Sequence, residues 1–253
     1  MKHTAKQIYA HLKQAKKVML VPHQNPDGDS LGCVGAFMQF LDEINIPYSV
    51  YCKTTIPVKM EYLPHIKRVS QNENLWKDKE IDTVVVFDSG DLRYAGIDEN
   101  VRDLEGVKII NIDHHPTNEY YGDFNLVMDK ASSTAGILYR FFSYNDIKIN
   151  KKSATCLLTG LMTDTDNFTN GATNISSLHI ASDLIHKGAD LKTIRESILK
   201  DKSVSGLRLW GTVLSRLTHH QETDMVHTYV TQEDMKEHNV SEDEVEGLAN
   251  FMN

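Results

Sequence analysis

The sequence predicts an α/β fold in which a mainly parallel sheet is flanked by helices. Short apolar runs at residues 17–22, 81–87 and 107–112 are typical of strands that are buried on both faces. The first run is followed by a helical pattern and then by a further strand at 46–51, which together make a βαβ unit. In addition, each of the three runs leads into Asp or His residues, as expected where loops leave a sheet to form a binding site.

The first part of the chain predicts a helix, a strand, a turn and a second helix. Apolar residues spaced along 4–16 favour a first helix, which leads into the strand at 17–22. Pro26 and Gly28 then predict a tight turn. The apolar segment 31–41 predicts a helix that faces the core.

The middle of the chain is less regular. The segment 52–80 is polar, and within it we expect only a short strand at 66–69 and a helical turn near Leu75. Four helical patterns follow later, and Asn150 is a suitable N-cap for the second of them. These helices are predicted at 131–143, 150–162, 175–187 and 190–200.

The last part of the chain predicts a smaller α/β unit. Residues 203–217 favour an amphipathic helix, and strand-like alternation follows at 225–231. Short helices are expected at 232–237 and 241–252. The final helix has an apolar face without an evident packing partner, so we expect a C-terminal domain that has begun and is incomplete at the end of the chain.

Composition and charge limit the classes of function. The 253 residues carry a net charge of −8, which argues against broad binding to a nucleic-acid backbone. A small anionic substrate held by metal ions stays compatible, because the ions supply positive charge. Cys33, Cys52 and Cys156 lie in apolar contexts without a C-x-x-C motif, which favours a reducing, cytoplasmic location. The sequence shows neither a bilayer-spanning apolar run nor the apolar core of a signal peptide.

Carboxylates and imidazoles cluster at four places where apolar segments end. Three of these places follow predicted strands, and the fourth ends a predicted helix. Because ligands bind beyond the carboxyl ends of parallel strands, we expect the four clusters to share one cleft. The residues are His23, Asp27, Asp29, Asp88, Asp113, His114, His115 and Asp164.

This set of side chains indicates metal chemistry. Several ionised carboxylates in one cleft repel one another, and two divalent cations would balance about four such charges. Oxygen ligands with some imidazole suit Mn²⁺, Fe or Mg²⁺ better than a thiolate zinc site does. Two ions about 3.5–4 Å apart favour phosphoester hydrolysis. Nucleotide-driven motor chemistry and hydride transfer are disfavoured, since the chain has neither a G-x-x-x-x-G-K-[ST] loop nor a G-x-G-x-x-G fingerprint.

A plainer interpretation stays open for individual carboxylates. Asp27, Asp29 or Asp88 could cap the turn or helix that follows it. Capping alone would leave His23 unexplained. It also suits Asp164 poorly, because the C-terminal end of a helix disfavours a negative charge.

Taken in order, the four clusters resemble the motifs of the DHH phosphoesterase superfamily. They are His23-x-x-Pro26-Asp27-x-Asp29-x-x-Gly32, the strand-ending Asp88, Asp113-His114-His115 and Thr163-Asp164-Thr165. The resemblance covers about residues 1–200. Within the superfamily the chain is most similar to the stand-alone nanoRNase and pAp-phosphatase type. Members of that type cleave very short oligonucleotides or 3′-phosphoadenosine 5′-phosphate (pAp), and related ones cleave linear dinucleotides.

The resemblance implies two divalent metal ions as cofactors, with Mn²⁺ preferred and Mg²⁺ or Fe as alternatives. Asp88 would bridge the two ions. The other ligands would form two sets, with His23 and Asp27 on the first ion and Asp29, His114 and Asp164 on the second.

The resemblance also implies how hydrolysis proceeds. A water activated by the two ions would attack phosphorus, and the catalytic residues would be Asp88, His114 and His115. His115 would bind the scissile phosphate or assist the leaving group. Asp113 would not bind a metal ion itself but would orient one of the imidazoles.

The resemblance implies a catalytic metal-binding domain at 1–200, a linker helix at 201–218 and, at 219–253, the start of an incomplete C-terminal substrate-binding domain. Relatives carry a Gly-Gly-Gly-His motif in that last domain, and this sequence does not contain it. Asp166 stands where relatives often have a small residue. The expected partner is a short oligonucleotide or a nucleotide, with no membrane, and a homodimer stays open.

Two other functions also stay open. An inorganic pyrophosphatase or exopolyphosphatase would share the metal motifs, although the start of a nucleotide-type second domain disfavours it. A non-catalytic nucleotide-binding sensor would bind without turnover, but the complete ligand set argues against it.

Overall fold

The computed structural model describes residues 1–102, 104–198, 203–241, 245 and 248–252. The chain divides into two compact units, Met1–Ile198 and Leu199–Asn253. Within the described residues, no helix has the length and apolar character needed to cross a membrane.

The first unit is built on a five-stranded sheet in which all neighbouring strands are parallel. The strands are β1 (Val18–Pro22), β2 (Tyr48–Val50), β3 (Thr83–Phe87), β4 (Lys108–Asp113) and β5 (Phe124–Val127). Their order across the sheet is β2-β1-β3-β4-β5. The predicted fold class is confirmed, and the four predicted strands of this sheet lie within two residues of their expected ends.

Helices and loops cover both faces of this sheet. The helices are α1 (Lys2–Leu12), α2 (Gly28–Glu43), α3 (Asp98–Arg102), α4 (Thr134–Tyr144), α5 (Lys151–Asp164), α6 (Ile175–His186) and α7 (Leu191–Ile198). Along β1 the side chains alternate, because Val18 and Leu20 join one hydrophobic cluster while Met19 and Val21 join another. Burial on both faces explains why β1 and β3 form nearly continuous apolar runs in the sequence.

Glycines allow α2 and α5 to pack closely. A Cβ atom added at Gly32 of α2 would lie 2.4 Å from the backbone oxygen of Cys156 in α5. A Cβ atom added at Gly160 of α5 would lie 2.5 Å from a carboxylate oxygen of Asp29. Interiors are packed too densely to absorb such atoms without a shift. The close crossing therefore places Asp29 against the end of α5, which carries Asp164.

Side-chain caps start the helices that carry site residues. Asp27 is the N-cap of α2, and its carboxylate accepts hydrogen bonds from the backbone N–H groups of Asp29 and Ser30. Because of this cap, α2 begins at Gly28, three residues before the predicted start. Asn150 caps α5, as predicted.

The least regular part of the first unit contains one wrong prediction. The strand predicted at 66–69 is absent, because Ile66–Arg68 form a 3-10 helix after His65, whose φ of +67° turns the chain. The helical turn predicted near Leu75 is confirmed by a 3-10 helix at Glu73–Lys77. The sequence patterns did not predict α3 or β5, which have only five and four residues.

The described part of the second unit contains three helices and a two-stranded antiparallel hairpin. The elements are α8 (Val204–Leu214), β6 (Thr218–His220), β7 (Met225–His227), α9 (Gln232–His238) and α10 (Leu248–Met252). Leu248 is buried with Leu209 and Val213 of α8 in a small core. The last helix thus has a packing partner, contrary to the expectation from sequence.

Two predicted elements of the second unit are longer than the observed ones. The predicted helix ends at Leu214 instead of continuing to residue 217, because the hairpin begins at Thr218. The predicted strand ends at His227, and an irregular segment then leads to Thr231, which caps α9. Residues 242–244 and 246–247 of the predicted final helix lie outside the described residues. So do residues 199–202, where the predicted catalytic domain meets the predicted linker helix.

Candidate metal centre

The carboxyl ends of three strands bring predicted site residues to one edge of the sheet. His23 follows β1, Asp88 follows β3, and Asp113 is the last residue of β4 before His114 and His115. Because these strands are neighbours in a parallel sheet, their ends meet at this edge. The two closely packed helices α2 and α5 add the remaining carboxylates, from Asp27, Asp29 and Asp164.

The first imidazole, from His23, faces two carboxylates. Its Nε2 atom lies 3.5 Å from Oδ1 of Asp27 and 3.6 Å from Oδ2 of Asp88. The other ring nitrogen, Nδ1, lies 2.8 Å from the backbone oxygen of Gln24. An N–H at Nδ1 that donates to this oxygen leaves the lone pair of Nε2 directed at the carboxylates. The three side chains place ligand atoms within 4.8 Å of one another.

The second imidazole, from His114, faces a second group of carboxylates. Its Nε2 atom lies 3.0 Å from Oδ2 of Asp164 and 3.6 Å from Oδ1 of Asp88. Asp29 places an oxygen within 4.8 Å of the ligand atoms of His114 and Asp164. Nδ1 of His114 lies 3.4 Å from the backbone oxygen of Ala131, which orients the ring in the same sense as the first imidazole.

Asp88 lies between the two groups. Its Oδ2 atom faces His23, and its Oδ1 atom faces His114. A buried carboxylate that offers one oxygen to each of two ligand sets has the arrangement of a bridging ligand. Its backbone has a φ of +60°, a conformation that aspartate adopts more readily than most residues. The donor set of carboxylates and imidazoles around this shared residue fits two hard divalent cations.

The N-terminus of α4 anchors two of the buried carboxylates. The backbone N–H groups of Thr134 and Ala135 donate to the two oxygens of Asp29, at 2.6 and 2.9 Å. The Thr134 hydroxyl donates to Oδ1 of Asp88 at 2.8 Å. The positive end of the helix dipole also favours anions at this place. Thr134 therefore couples the positions of Asp29 and Asp88, a role that the sequence patterns did not predict.

A chain of buried polar groups holds His115. Its Nδ1 atom lies 2.8 Å from Oδ1 of Asp113, which is fully buried. The side-chain amide of Asn118 donates to Oδ2 of Asp113 at 2.6 Å and to Oδ1 of Asn111 at 2.8 Å. These bonds fix the carboxylate, which in turn orients the imidazole. The side chain of His115 is 41% exposed, so the ring remains accessible from solvent.

The cluster shifts the pKa values of its members. Burial alone would lower the pKa of His23, but hydrogen bonds to its two carboxylate partners outweigh burial and raise the pKa to about 11. Burial likewise would lower the pKa of His114, but the hydrogen bond to Asp164 and the charge of that carboxylate raise this pKa to about 9. Burial, reinforced by the charges of Asp164 and Asp88, raises the pKa of Asp29 well above its ordinary value. In the metal-free protein, protons bound to these side chains thus balance part of the negative charge of the carboxylates.

We expect the affinity for Mn²⁺ to rise with pH between about 6 and 9. His23 and His114 must be neutral to bind a metal ion, and both hold a proton at neutral pH when no metal is present. Calorimetric titration at pH 7 in buffers of different ionisation enthalpy should show release of about two protons per chain. Binding that is independent of pH and releases no proton would contradict these two ligand assignments.

The loop after α5 has an unusual backbone. Asp166, Asn167 and Phe168 have φ values of +46°, +56° and +66°. The Thr165 hydroxyl accepts a hydrogen bond from the backbone N–H of Phe168, and the Asn170 side chain donates to the backbone oxygen of the last helical residue. This left-handed turn favours glycine at position 166, since glycine adopts positive φ without strain.

Substitutions at Asp166 should follow this backbone requirement. We expect Asp166→Gly to keep or slightly raise the free energy of unfolding, whereas Asp166→Val should lower it by about 1–2 kcal/mol. A β-branched side chain is strained at a φ of +46°, which glycine and aspartate tolerate better. Urea unfolding of the metal-free chain measures both variants. Equal stability of the two would contradict the left-handed conformation.

Three further residues, which the sequence patterns did not predict, contact predicted site residues. Thr134 and Asn118 hydrogen-bond to carboxylates of the cluster, at Asp88 and Asp113. Tyr94 stacks its ring on His23, with ring centroids 4.9 Å apart. A polar residue opening an apolar helix and an aromatic residue six positions after Asp88 were the available signals.

The fold and the cluster define a class of protein: an α/β protein whose sheet edge presents carboxylates and imidazoles suited to divalent metal ions. Residues 17–161 match the N-terminal domain of the DHH family. This match spans more than half of the sequence and includes most of the predicted site residues. The chain belongs to the DHH family, as its four motifs indicated.

Several known proteins are similar to this chain. A Streptococcus mutans serotype c protein named "Probable bifunctional oligoribonuclease and PAP phosphatase NrnA" is 30% identical over 75% of the chain and 58% of its own length. A Streptococcus agalactiae serotype Ia protein named "Probable manganese-dependent inorganic pyrophosphatase" is 25% identical over 73% of the chain and 60% of its own length. The crystal structure of an exopolyphosphatase-related protein from Bacteroides fragilis matches with a TM-score of 0.88 at 26% identity, covering 99% of this chain and 76% of that one. The chain therefore spans 58–60% of the length of these two curated relatives.

Proposed function

We propose that this chain is a metal-dependent phosphoesterase that hydrolyses short oligonucleotides, pAp or both. The observation that carries the proposal is the position of Asp88, which offers one oxygen to each of two ligand sets. Two divalent ions bound to such sets supply Lewis acids that activate a water and stabilise the attacking and leaving oxygens at phosphorus. Phosphoester hydrolysis is the reaction that this combination suits best.

The proposed roles of the residues follow from their contacts. Asp88 would be shared by the two ions, with His23 and Asp27 holding one of them and Asp29, His114 and Asp164 holding the other. His115 contacts the scissile phosphate, because its ring is accessible while Asp113 fixes its orientation. Mn²⁺ is the proposed ion, supported by the manganese dependence stated in the name of the Streptococcus agalactiae relative.

Nucleotides are the proposed substrates because of the order of similarity among relatives. The Streptococcus mutans relative, named for oligoribonuclease and PAP phosphatase activity, is 30% identical to this chain. The relative named as a pyrophosphatase is 25% identical over a similar share of the chain. Cleavage of inorganic pyrophosphate is therefore the second candidate, since the two relatives match similar shares of the chain, 75% and 73%.

We extend the proposal to the organisation of the chain. Residues 1–200 would form the catalytic metal-binding domain, 201–218 the linker, and 219–253 the beginning of a substrate-binding domain. A cytoplasmic location fits the three cysteines, which are free and buried.

A side-by-side measurement of hydrolysis tests the proposed substrate. The chain with Mn²⁺ is given a 5′-phosphorylated dinucleotide, pAp and pyrophosphate at equal concentration. We expect release of mononucleotides, or of phosphate from pAp, to be faster than cleavage of pyrophosphate. Faster cleavage of pyrophosphate would overturn the substrate and leave the metal centre in place. Nucleotide binding without Mn²⁺-stimulated hydrolysis of any of the three would favour a non-catalytic sensor.

A further inference from the structure

An exposed aromatic ring lies next to the first imidazole of the cluster. The rings of Tyr94 and His23 are stacked, with centroids 4.9 Å apart and an angle of 26° between their planes. Tyr94 is nevertheless 47% exposed to solvent, so His23 covers only part of its ring. The tyrosine belongs to the loop that follows Asp88, on the same edge of the sheet as the metal ligands.

The backbone that carries this ring is held firmly. The N–H of Tyr94 donates to Oδ1 of Asp91 at 2.7 Å, and its carbonyl oxygen accepts from the N–H of Gln24 at 3.1 Å. The neighbouring residues Ala95 and Ile97 are fully buried in a hydrophobic cluster. Tyr94 therefore presents its ring to solvent from a fixed position. An aromatic surface that is ordered in advance can bind a ligand at little further cost in conformational entropy.

His23 does not depend on the tyrosine for its orientation. Its Nδ1 atom already bonds to the backbone oxygen of Gln24, and its Nε2 atom faces Asp27 and Asp88. The imidazole itself is buried. The exposed aromatic surface is thus available for another partner beside the metal ligands.

We propose that Tyr94 is the platform on which a nucleobase of the substrate stacks while the attached phosphate lies at the metal centre. The proposal rests on the proposed function and deepens it, because it names the part of the chain that recognises the base. Every nucleobase has a π face, so stacking on tyrosine favours nucleotides over pyrophosphate without selecting one base. The platform accordingly makes Tyr94 a determinant of substrate class.

Two ligands that differ only by the base isolate this contact. Adenosine 5′-monophosphate and ribose 5-phosphate carry the same phosphate and the same sugar. In the presence of Mn²⁺, calorimetric titration of the chain should show that the nucleotide binds about tenfold more tightly, as expected for one stacked base. Tyr94→Leu should remove this difference, because leucine keeps an apolar cover over His23 but lacks a π face. Tyr94→Phe is the matched control and should preserve the difference.

Other results would overturn the platform. Equal affinity of the wild-type chain for the two ligands would exclude base stacking. An equal loss of affinity for both ligands in Tyr94→Leu, accompanied by weaker Mn²⁺ binding, would show that the tyrosine only supports His23.

The binding experiment is independent of turnover, so it separates this proposal from the proposed function. A nucleotide preference that depends on Tyr94 supports the platform even if the chain hydrolyses no dinucleotide, in which case the phosphoesterase proposal alone fails. Dinucleotide hydrolysis combined with a nucleotide preference that survives in Tyr94→Leu would overturn the platform alone.

Discussion

Asp88→Asn is expected to lower Mn²⁺-dependent hydrolysis by about a thousandfold, because the two-ion arrangement contributes several kcal/mol to the barrier reduction. The change removes the charge that both ligand sets share while keeping the size of the side chain. Asparagine tolerates the φ of +60° at this position, and its side-chain oxygen can still accept the hydrogen bond from Thr134. The variant should therefore stay folded, as circular dichroism would verify. Calorimetric titration should show weaker binding of Mn²⁺.

Asp82→Asn provides a matched control for this substitution. Asp82 precedes β3, at the end of the strand opposite to Asp88. Its Oδ2 atom accepts a hydrogen bond from the backbone N–H of Lys16, which an amide oxygen can retain. Its Oδ1 atom accepts from the Thr83 hydroxyl, to which an amide N–H can donate instead. We expect the hydrolysis rate of this variant to equal that of the wild-type chain. An Asp88→Asn variant that keeps normal turnover would contradict the role of Asp88 as a shared ligand.

Gly160→Ala is expected to weaken Mn²⁺ binding by at least about tenfold and to lower the free energy of unfolding by about 1–3 kcal/mol. The new Cβ atom would lie 2.5 Å from Oδ1 of Asp29 and 2.8 Å from Cβ of Ala135. Asp29 cannot move away freely, because two backbone N–H groups of α4 hold its oxygens. The methyl group therefore displaces a proposed ligand although it adds no charge. Calorimetric titration and urea unfolding measure the two effects.

Gly32→Ala separates the effect on the ligand from the effect on packing. Its Cβ atom would lie 2.4 Å from the backbone oxygen of Cys156, in the same helix pair but away from the carboxylates. We expect a similar loss of stability with a smaller change in Mn²⁺ affinity. Equal losses of affinity in the two variants would show that the spacing of α2 and α5 controls the site, and that contact with Asp29 does not.

Much of the fold could be predicted because its strands are buried on both faces. Such strands form nearly continuous apolar runs in a sequence. The predicted ends of β1, β3 and β4 therefore lie within two residues of the observed ends. Strand β5 was missed because it has only four residues and includes the polar Asn125. The start of α2 was misplaced because Gly28 and Asp29 were assigned to a turn. In the structure Asp27 is the N-cap, so Gly28 and Asp29 are the first two residues of the helix.

The composition of the candidate site could be predicted for a similar reason. Asp and His residues directly after strands must lie at the carboxyl edge of a parallel sheet, so proximity followed from the strand assignments. Thr134 was not predictable in this way, because it reaches Asp88 from a helix 46 residues further along the chain. Gly160 was equally hidden, since its importance depends on how closely α2 and α5 pack.

Some interpretations of single residues proved to be compatible with each other. Asp27 was treated either as a helix cap or as a metal ligand, and the structure shows it capping α2 while one of its oxygens lies 3.5 Å from His23. His219 and His220, which follow the predicted helix at 203–217, lie in strand β6 of a hairpin. This hairpin forms because β6 pairs with β7, which follows closely in the chain. The alternation of apolar and polar residues in the sequence was too weak to predict β6.

The most direct test of the proposed two-metal centre is an anomalous difference map from crystals of the chain grown with Mn²⁺. We expect two peaks about 3.5–4 Å apart, with Asp88 between them. One peak should lie beside His23 and Asp27, and the other beside His114 and Asp164. A single peak, or two peaks that do not share Asp88, would contradict the account.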